Sequence, residues 1–433
     1  MNGVRGAQIP AWAVGLKGKW HQRQPLASSF ERVPNVPYRR LRSAVAAALA
    51  LALALPAGAQ AVSRERLAAK AGKAMRKAGP ASGALIRDFT TGEVLFERRS
   101  GRDRIPASVE KLYTTAAALR RMGPRTRLNT DVVAAGTVDA EGRLDGDLFI
   151  LGGGDPTLGP SDVGALAGQV SSSGLTVVTG SVVGDESRFD ARRGGSGWGY
   201  SPWLGGSIGA LALSRGWGKG GPGLSAARAF RSALRARGVR ILSRTRTGQA
   251  PAGARRVARV SSPTVAELAR LINVPSDNFM AETLLKELGA RFGRSGTTAA
   301  GAAVARRVAT GFGATPRIVD GSGLSRSNAT SPAEVMKLLA GMRGGPTSTA
   351  FERSLAVAGQ SGTLASRMRG TAAAGRCRAK TGTLSDVSTL AGLCGTASGN
   401  TVAFVLMMNG LSPDRGRVLQ DTVVRGIARY DGS

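Results

Sequence analysis

Histidine is almost absent from this chain. The single one, His21, lies ahead of an apolar segment that reads as a cleaved export signal. A mature chain without imidazole excludes the Ser-His-Asp and Cys-His arrangements, in which that ring activates the nucleophile. Two cysteines and no histidine also offer little for zinc, so neither a metal nor another cofactor is expected. Acidic residues are scarce: 28 Asp and Glu stand against 60 Lys and Arg, a net charge of +32. Only ten of the basic residues are Lys, and part of this arginine bias reads as genomic. The excess of positive charge survives removal of the first 61 residues and favours anionic partners. Nucleic acid, an anionic envelope polymer and a membrane surface are the candidates. The basic residues are scattered and do not cluster with aromatics, which make up only 5% of the chain. A solvated basic surface is therefore the plainer reading, and nucleic acid is not expected as a partner.

Arg39, Arg40 and Arg42 precede a twelve-residue apolar run, Ala44–Leu55, and the small residues Pro56–Ala61 follow. Basic, apolar, then small is the order of a secretory signal, and cleavage after Ala59 or Ala61 fits it. Twelve residues are too few for a permanent membrane span. Met1–Tyr38 reads either as a misplaced translation start or as a short cytoplasmic tail. Residues 1–61 are set aside as extension and signal, and the mature protein is expected to be periplasmic, extracellular or wall-associated.

The remainder, 42% hydrophobic over the whole chain, is long enough for two or three domains and a large core. Gly83–Arg99 predicts a hairpin around Thr90-Thr91-Gly92. Pro106-Ala107-Ser108 opens a predicted helix to about Met122. From Arg127 to about Val260 the pattern changes to short strands, Gly-rich turns and two helices. Helical patterns return at Val265–Asn273, Phe279–Phe292 and Thr297–Gly311. The end reads strand, strand, strand, helix: Arg376–Thr383, Ser388–Thr396, Thr401–Asn409 and Arg415–Tyr430. This order predicts an α+β fold, an antiparallel sheet with helices around it. The division is 62–126 and 261–433 for one domain, with 127–260 inserted as a β-rich module. Cys377 and Cys394 fall opposite each other in a hairpin centred on Ser385-Asp386, and a cross-strand disulfide is predicted there. A pair of buried thiols is the alternative.

Three strings carry chemistry. Ser108 and Lys111 in Ser-Val-Glu-Lys lie on one helix face, a turn apart. A serine hydroxyl needs a base, and a buried lysine that is neutral part of the time can serve. Alone, such a pair is usually an ordinary exposed one. Ser276-Asp277-Asn278, after Pro275, can aim a hydroxyl and a carboxamide into a cleft, although such tripeptides usually form turns or caps. Lys380-Thr381-Gly382-Thr383 lies on a predicted strand. Gly382 leaves room for a substrate alongside, Lys380 and a threonine can bind a carboxylate, and a strand N–H with that of Ser108 can form an oxyanion hole.

Together and in this order, the strings resemble the active-site set of penicillin-binding proteins and serine β-lactamases. The 168-residue gap from Ser108 to Ser276 holds a whole inserted domain. Leu151–Leu158, Asp320–Asn328 and Ala379–Leu384 resemble strings of the low-molecular-mass class C penicillin-binding proteins, the D-Ala-D-Ala carboxypeptidase/endopeptidase family. The resemblance implies acylation of Ser108, Lys111 as general base, and Ser276 and Asn278 shuttling the proton and holding the substrate. Lys380 and Thr381 would bind the terminal carboxylate, and the Thr383 N–H would complete the oxyanion hole. Peptidoglycan stem peptides are the implied substrates and β-lactams the implied inhibitors. In that family an acidic residue in a Gly-Trp segment helps read the diamino acid. The comparable Gly197–Trp203 carries no acid. A β-lactamase, a non-enzymatic β-lactam sensor and a basic nucleic-acid-binding protein are the weaker alternatives.

Overall fold

Most helices of the domain that carries the three strings start where a polar side chain takes up an orphan N–H. The structure, a computed structural model, describes residues 61–195, 198 and 201–433. The expected export signal and the cleavage site at Ala59 lie outside the described residues. Helix α1 (Arg64–Lys77) is capped by Ser63. The hairpin β1 (Gly83–Asp88) and β2 (Val94–Arg98) follows. A 3₁₀ turn at Ala107–Glu110 then leads into α2 (Lys111–Met122).

The next stretch holds β3 (Asn129–Val138), β4 (Arg143–Leu151), α3 (Pro160–Ser172), β5 (Val177–Val178) and β6 (Val182–Asp185). It continues with α4 (Pro222–Arg235), β7 (Arg240–Ile241), β8 (Arg246–Thr247) and β9 (Arg255–Ser261). A reciprocal Thr264–Glu267 capping box starts α5 (Val265–Asn273), Asp277 caps α6 (Asn278–Phe292), and Thr297 caps α7 (Thr298–Gly311). Then come α8 (Pro332–Met342), α9 (Ser348–Arg353) and β10 (Ala356–Val357). The chain closes with β11 (Cys377–Leu384), β12 (Val387–Gly395), β13 (Thr401–Asn409) and α10 (Pro413–Ala428).

Six strands form one antiparallel sheet in the order β10-β11-β12-β13-β1-β2. The run of β13 shows why it is central. Ala403, Val405 and Met407 join the core under α2, α5, α6, α7 and α8, while Val402, Phe404, Leu406 and Met408 join the core under α1 and α10. Both faces are covered, so the run is continuously apolar. Each of its large side chains stabilises by about 1.5–3 kcal/mol on burial. A two-residue turn, Ser385-Asp386, joins β11 to β12 and sets a register in which Cys377 faces Cys394. The two sulfurs are bonded.

The second sheet is mixed and comes entirely from residues 129–261. Its antiparallel part is β4-β3-β9, and its parallel part adds β5, β6, β7 and β8. Helices α3 and α4 cover one face, with Leu166, Val170, Phe230 and Leu234 in its core.

Candidate active site

The serine turn differs from the predicted helix start. Ala107–Glu110 is 3₁₀, and the α-helix begins only at Lys111. In a 3₁₀ turn, residues three apart eclipse each other, which sets Lys111 directly over Ser108. Ala107 carries a left-handed φ of 48°. Two glycines clamp this peptide. A Cβ at Gly382 would meet the carbonyl oxygen of Pro106 at 2.6 Å and the nitrogen of Ser108 at 3.0 Å, besides Thr389 Oγ1. A Cβ at Gly323 would run into the carbonyl of Ala107. On its Cβ side the space left by Gly382 is therefore filled by the serine turn, which corrects the simpler idea that it serves only a passing substrate.

Lys111 is fully buried. Its Nζ donates to Ser108 Oγ (2.9 Å), Asn278 Oδ1 (2.6 Å) and the carbonyl of Ser322 (2.6 Å). Burial pushes its pKa down to about 8, against the pull of Asp320, Glu282, Asp277 and Glu110. A lysine with that value is neutral often enough to accept a proton near pH 7. The surrounding carboxyls respond in the opposite sense. Burial, then the Asp320 charge, pushes Glu282 up to about 8. Burial with the charges of Asp320 and Glu282 holds Glu110 well above its ordinary range, and neither of its oxygens has a partner among the described residues. Asp320 instead collects the N–H groups of Gly323 (2.8 Å) and Ser325 (2.6 Å), Asn328 Nδ2 (2.7 Å) and Trp198 Nε1 (2.9 Å).

Ser276 sits in the turn before α6 with a φ of 67°, a left-handed conformation that costs a non-glycine residue about 1 kcal/mol or more. Its hydroxyl accepts from Lys380 Nζ at 2.8 Å. Lys380 is also fully buried, and its pKa is lowered well below the ordinary value by burial and by the Lys111 charge. Thr381 Oγ1 donates to Thr363 Oγ1 (2.8 Å), while the Thr383 side chain is exposed. Strand β10 pairs β11 only at Arg378 and Ala379, so among the described residues no strand covers the β11 edge from Lys380 onward. That edge, beside Ser108, can take an extended peptide as an added strand.

The structure thus brings Ser108, Lys111 and Asn278 into one hydrogen-bonded group, with Ser276 and Lys380 in a second beside it. Gly382 touches the serine turn. Sequence reasoning missed the supports. Asp277 does more than cap α6: Arg215 of the 129–261 region pairs with it at 2.8 Å and lies over Phe279, 4.9 Å from the ring centroid. Asn278 Nδ2 donates to the carbonyl of Trp203, a residue that is 79% exposed. Trp198 packs on the cluster of Phe189, Leu204, Ile208 and Phe279. Of the aromatic residues described in this segment, Trp198 is packed and Trp203 is open, beside Asn278; Gly197, Gly199 and Tyr200 lie outside the described residues. An Asp ahead of a helical run is a readable cap signal, whereas its partner Arg215 had no local mark.

Comparison with known proteins agrees with this geometry. The family model described as the D-Ala-D-Ala carboxypeptidase 3 (S13) family matches residues 64–203 and 220–430. The chain is 30% identical to a D-alanyl-D-alanine carboxypeptidase from an Actinomadura species over 82% of each chain. Its fold is similar to penicillin binding protein 4 from Haemophilus influenzae, with a TM-score of 0.72 at 20% identity, covering 82% of this chain and 97% of that one. The same protein in complex with a β-lactam gives a TM-score of 0.68 at 20% identity, covering 82% and 98%. A transpeptidase-like sheet, a large insertion and a matched family model agree: the chain belongs to the D-Ala-D-Ala carboxypeptidase 3 (S13) family, serine-type hydrolases among the class C low-molecular-mass penicillin-binding proteins.

Proposed function

We propose that the protein is an exported D,D-carboxypeptidase that works through an acyl-enzyme on Ser108. The observation that carries this reading is the buried Lys111 Nζ, 2.9 Å from Ser108 Oγ. Neutral Lys111 takes the hydroxyl proton as Oγ attacks the carbonyl carbon of the penultimate D-Ala. The oxyanion is held by the N–H groups of Ser108 and Thr383. Asn278 holds the substrate amide, and Lys380 with Thr381 receives the terminal carboxylate. On collapse the C–N bond breaks, and the leaving amine takes the proton, relayed from Lys111 through the Ser276 hydroxyl. D-alanine departs. Water, deprotonated by Lys111, then hydrolyses the ester and restores Ser108. Penicillin acylates the same oxygen and leaves slowly.

A cross-linked peptide presents the same D-Ala carbonyl, so the same steps give an endopeptidase. The uncovered β11 edge supports room for the longer acceptor chain. Export is supported by the basic, apolar and small segments ahead of Val62 and by the Cys377–Cys394 bond, which suits an oxidising compartment. The positive excess supports attraction to anionic polymers of the envelope, weakening as salt rises.

The test is the intact mass of the mature protein after penicillin, beside Ser108→Ala, with D-alanine release measured on a D-Ala-D-Ala peptide. One adduct in the wild type alone, with D-alanine released, is the expected result. An adduct on Ser108→Ala, or none on folded wild type, removes the assignment. Cleavage of a cross-linked dimer in the same assay decides the endopeptidase arm.

A further inference from the structure

A cavity of about 480 Å³ lies far in sequence from the catalytic strings, lined by Arg228, Arg231, Ser232, Arg235, Arg244 and Thr245. Arg228, Arg231 and Arg235 recur at i, i+3 and i+7 on α4 and so share one face. Arg244 and Thr245 come from the segment between β7 and β8. Like charges at this helical spacing oppose helix formation by a few tenths of a kcal/mol, roughly 0.2–0.5 per pair. The negative end of the helix dipole accounts for Arg235 at the last turn but not for Arg228 in the first half.

Two arginines nearby have acidic partners: Arg246 pairs with Asp147 and Arg259 with Asp131, each at 2.6 Å. Among the described residues, no carboxylate lies within ion-pair distance of any of the four cavity arginines. Backbone carbonyls orient two of them: Arg228 Nη1 donates to Lys219 (3.0 Å) and Arg231 Nη2 to Ile241 (3.4 Å). Two further polar atoms, Arg231 Nε and Thr245 Oγ1, are buried without a partner among the described residues. An unpaired buried polar atom costs about 1–3 kcal/mol. Two guanidiniums held by carbonyls, the exposed Arg235 and Arg244 and the Ser232 hydroxyl thus line one open groove whose positive charge an anion would offset.

We propose that this cavity is a binding site for a phosphodiester group. A guanidinium matches phosphate oxygens two at a time, and tetrahedral oxygens can be reached from several directions at once, which suits arginines that line one groove from two segments of the chain. The cavity is larger than one phosphate needs and accommodates the groups on both sides of a diester. The proposal is independent of the catalytic reading, because none of these residues belongs to the serine site.

The test is calorimetric titration of the mature protein at constant ionic strength. Three probes are used: inorganic phosphate, a soluble glycerol-phosphate oligomer, and vesicles of phosphatidylglycerol. In Arg231→Gln with Arg244→Gln, affinity should fall about tenfold or more, as expected for lost charge-assisted hydrogen bonds. The control, Arg237→Gln with Arg240→Gln, removes equal charge outside the cavity and should bind like the wild type. Penicillin acylation reports folding in both. Loss confined to the oligomer identifies a polymer as the source of the diester, and loss confined to vesicles identifies a lipid headgroup. Equal loss in the two double variants would mean a diffuse field and overturn the site, as would a wild type that binds none of the probes.

Discussion

The two sheet-bearing regions treat charge in opposite ways. Around the antiparallel sheet, Asp88, Glu110, Lys111, Glu282, Lys286, Glu287, Asp320 and Lys380 are all wholly buried. In residues 129–261 no described ionisable side chain is buried to that degree. The deepest are Asp155 at 4% and Asp185 at 7% exposure, and the ion pairs of Arg246 and Arg259 are solvent-facing. Removing a charge from water is costly unless it is paired or neutralised. One region keeps to the inexpensive solution. The other accepts the cost at several adjacent positions, and there the lysine reaches a pKa useful for catalysis. Concentrated burial of charge is thus what separates the chemical half of this molecule from the half that packs against it.

This contrast can be broken most severely at Lys111. Lys111→Ala should fold, by far-UV circular dichroism, yet acylate with penicillin about 10²–10⁴-fold more slowly, the usual range for a lost general base. Acylation at the wild-type rate would show that buried charge there is only structural. The next effect is on pH. With the Lys111 pKa lowered by burial to about 8, the neutral fraction falls tenfold per unit below that value. Acylation should therefore rise with pH and level off above about 8. A flat profile from pH 6 to 9 in stopped-flow acylation would contradict the role. Asp277 lies on the border between the regions, as the α6 cap and the partner of Arg215. Asp277→Ala should lower the melting temperature, with about 1 kcal/mol lost from the cap alone. It should also slow acylation, because Asn278 is the first residue of that helix. The mildest test is Arg259→Ala. Its exposed pair with Asp131 should contribute about 1 kcal/mol or less, with acylation unchanged.

How much of this was legible depended on whether the signal was local. The strings at 108–111, 276–278 and 380–383 each named their residues, and their order implied one site. The 83–99 hairpin, the 265–273 helix and the 401–409 strand follow from periodicity and turn chemistry. Helix α8 was missed, although Ser331, Pro332 and Glu334 mark its start and Val335, Leu338, Leu339 and Met342 recur at helical spacing. What stayed hidden is pairing over distance. Glu282 looks like any helical glutamate until the Gly321-Ser322 backbone donates to it. Trp198 shows no sign of its bond to Asp320, 122 residues away. The 3₁₀ turn was missed for the same reason, since its left-handed Ala107 is held by Gly323 and Gly382, not by its neighbours.

That clamp has a consequence for the timing of reactivity. The serine is made early in synthesis, but the two glycines that shape its turn arrive much later, the second on a strand near the end of the chain. Before those glycines are in place, the turn that sets the serine hydroxyl against its lysine lacks its packing. The turn that sets the Ser108 oxygen against Lys111 packs on both glycines, so under the proposed function penicillin acylation would also report completed folding.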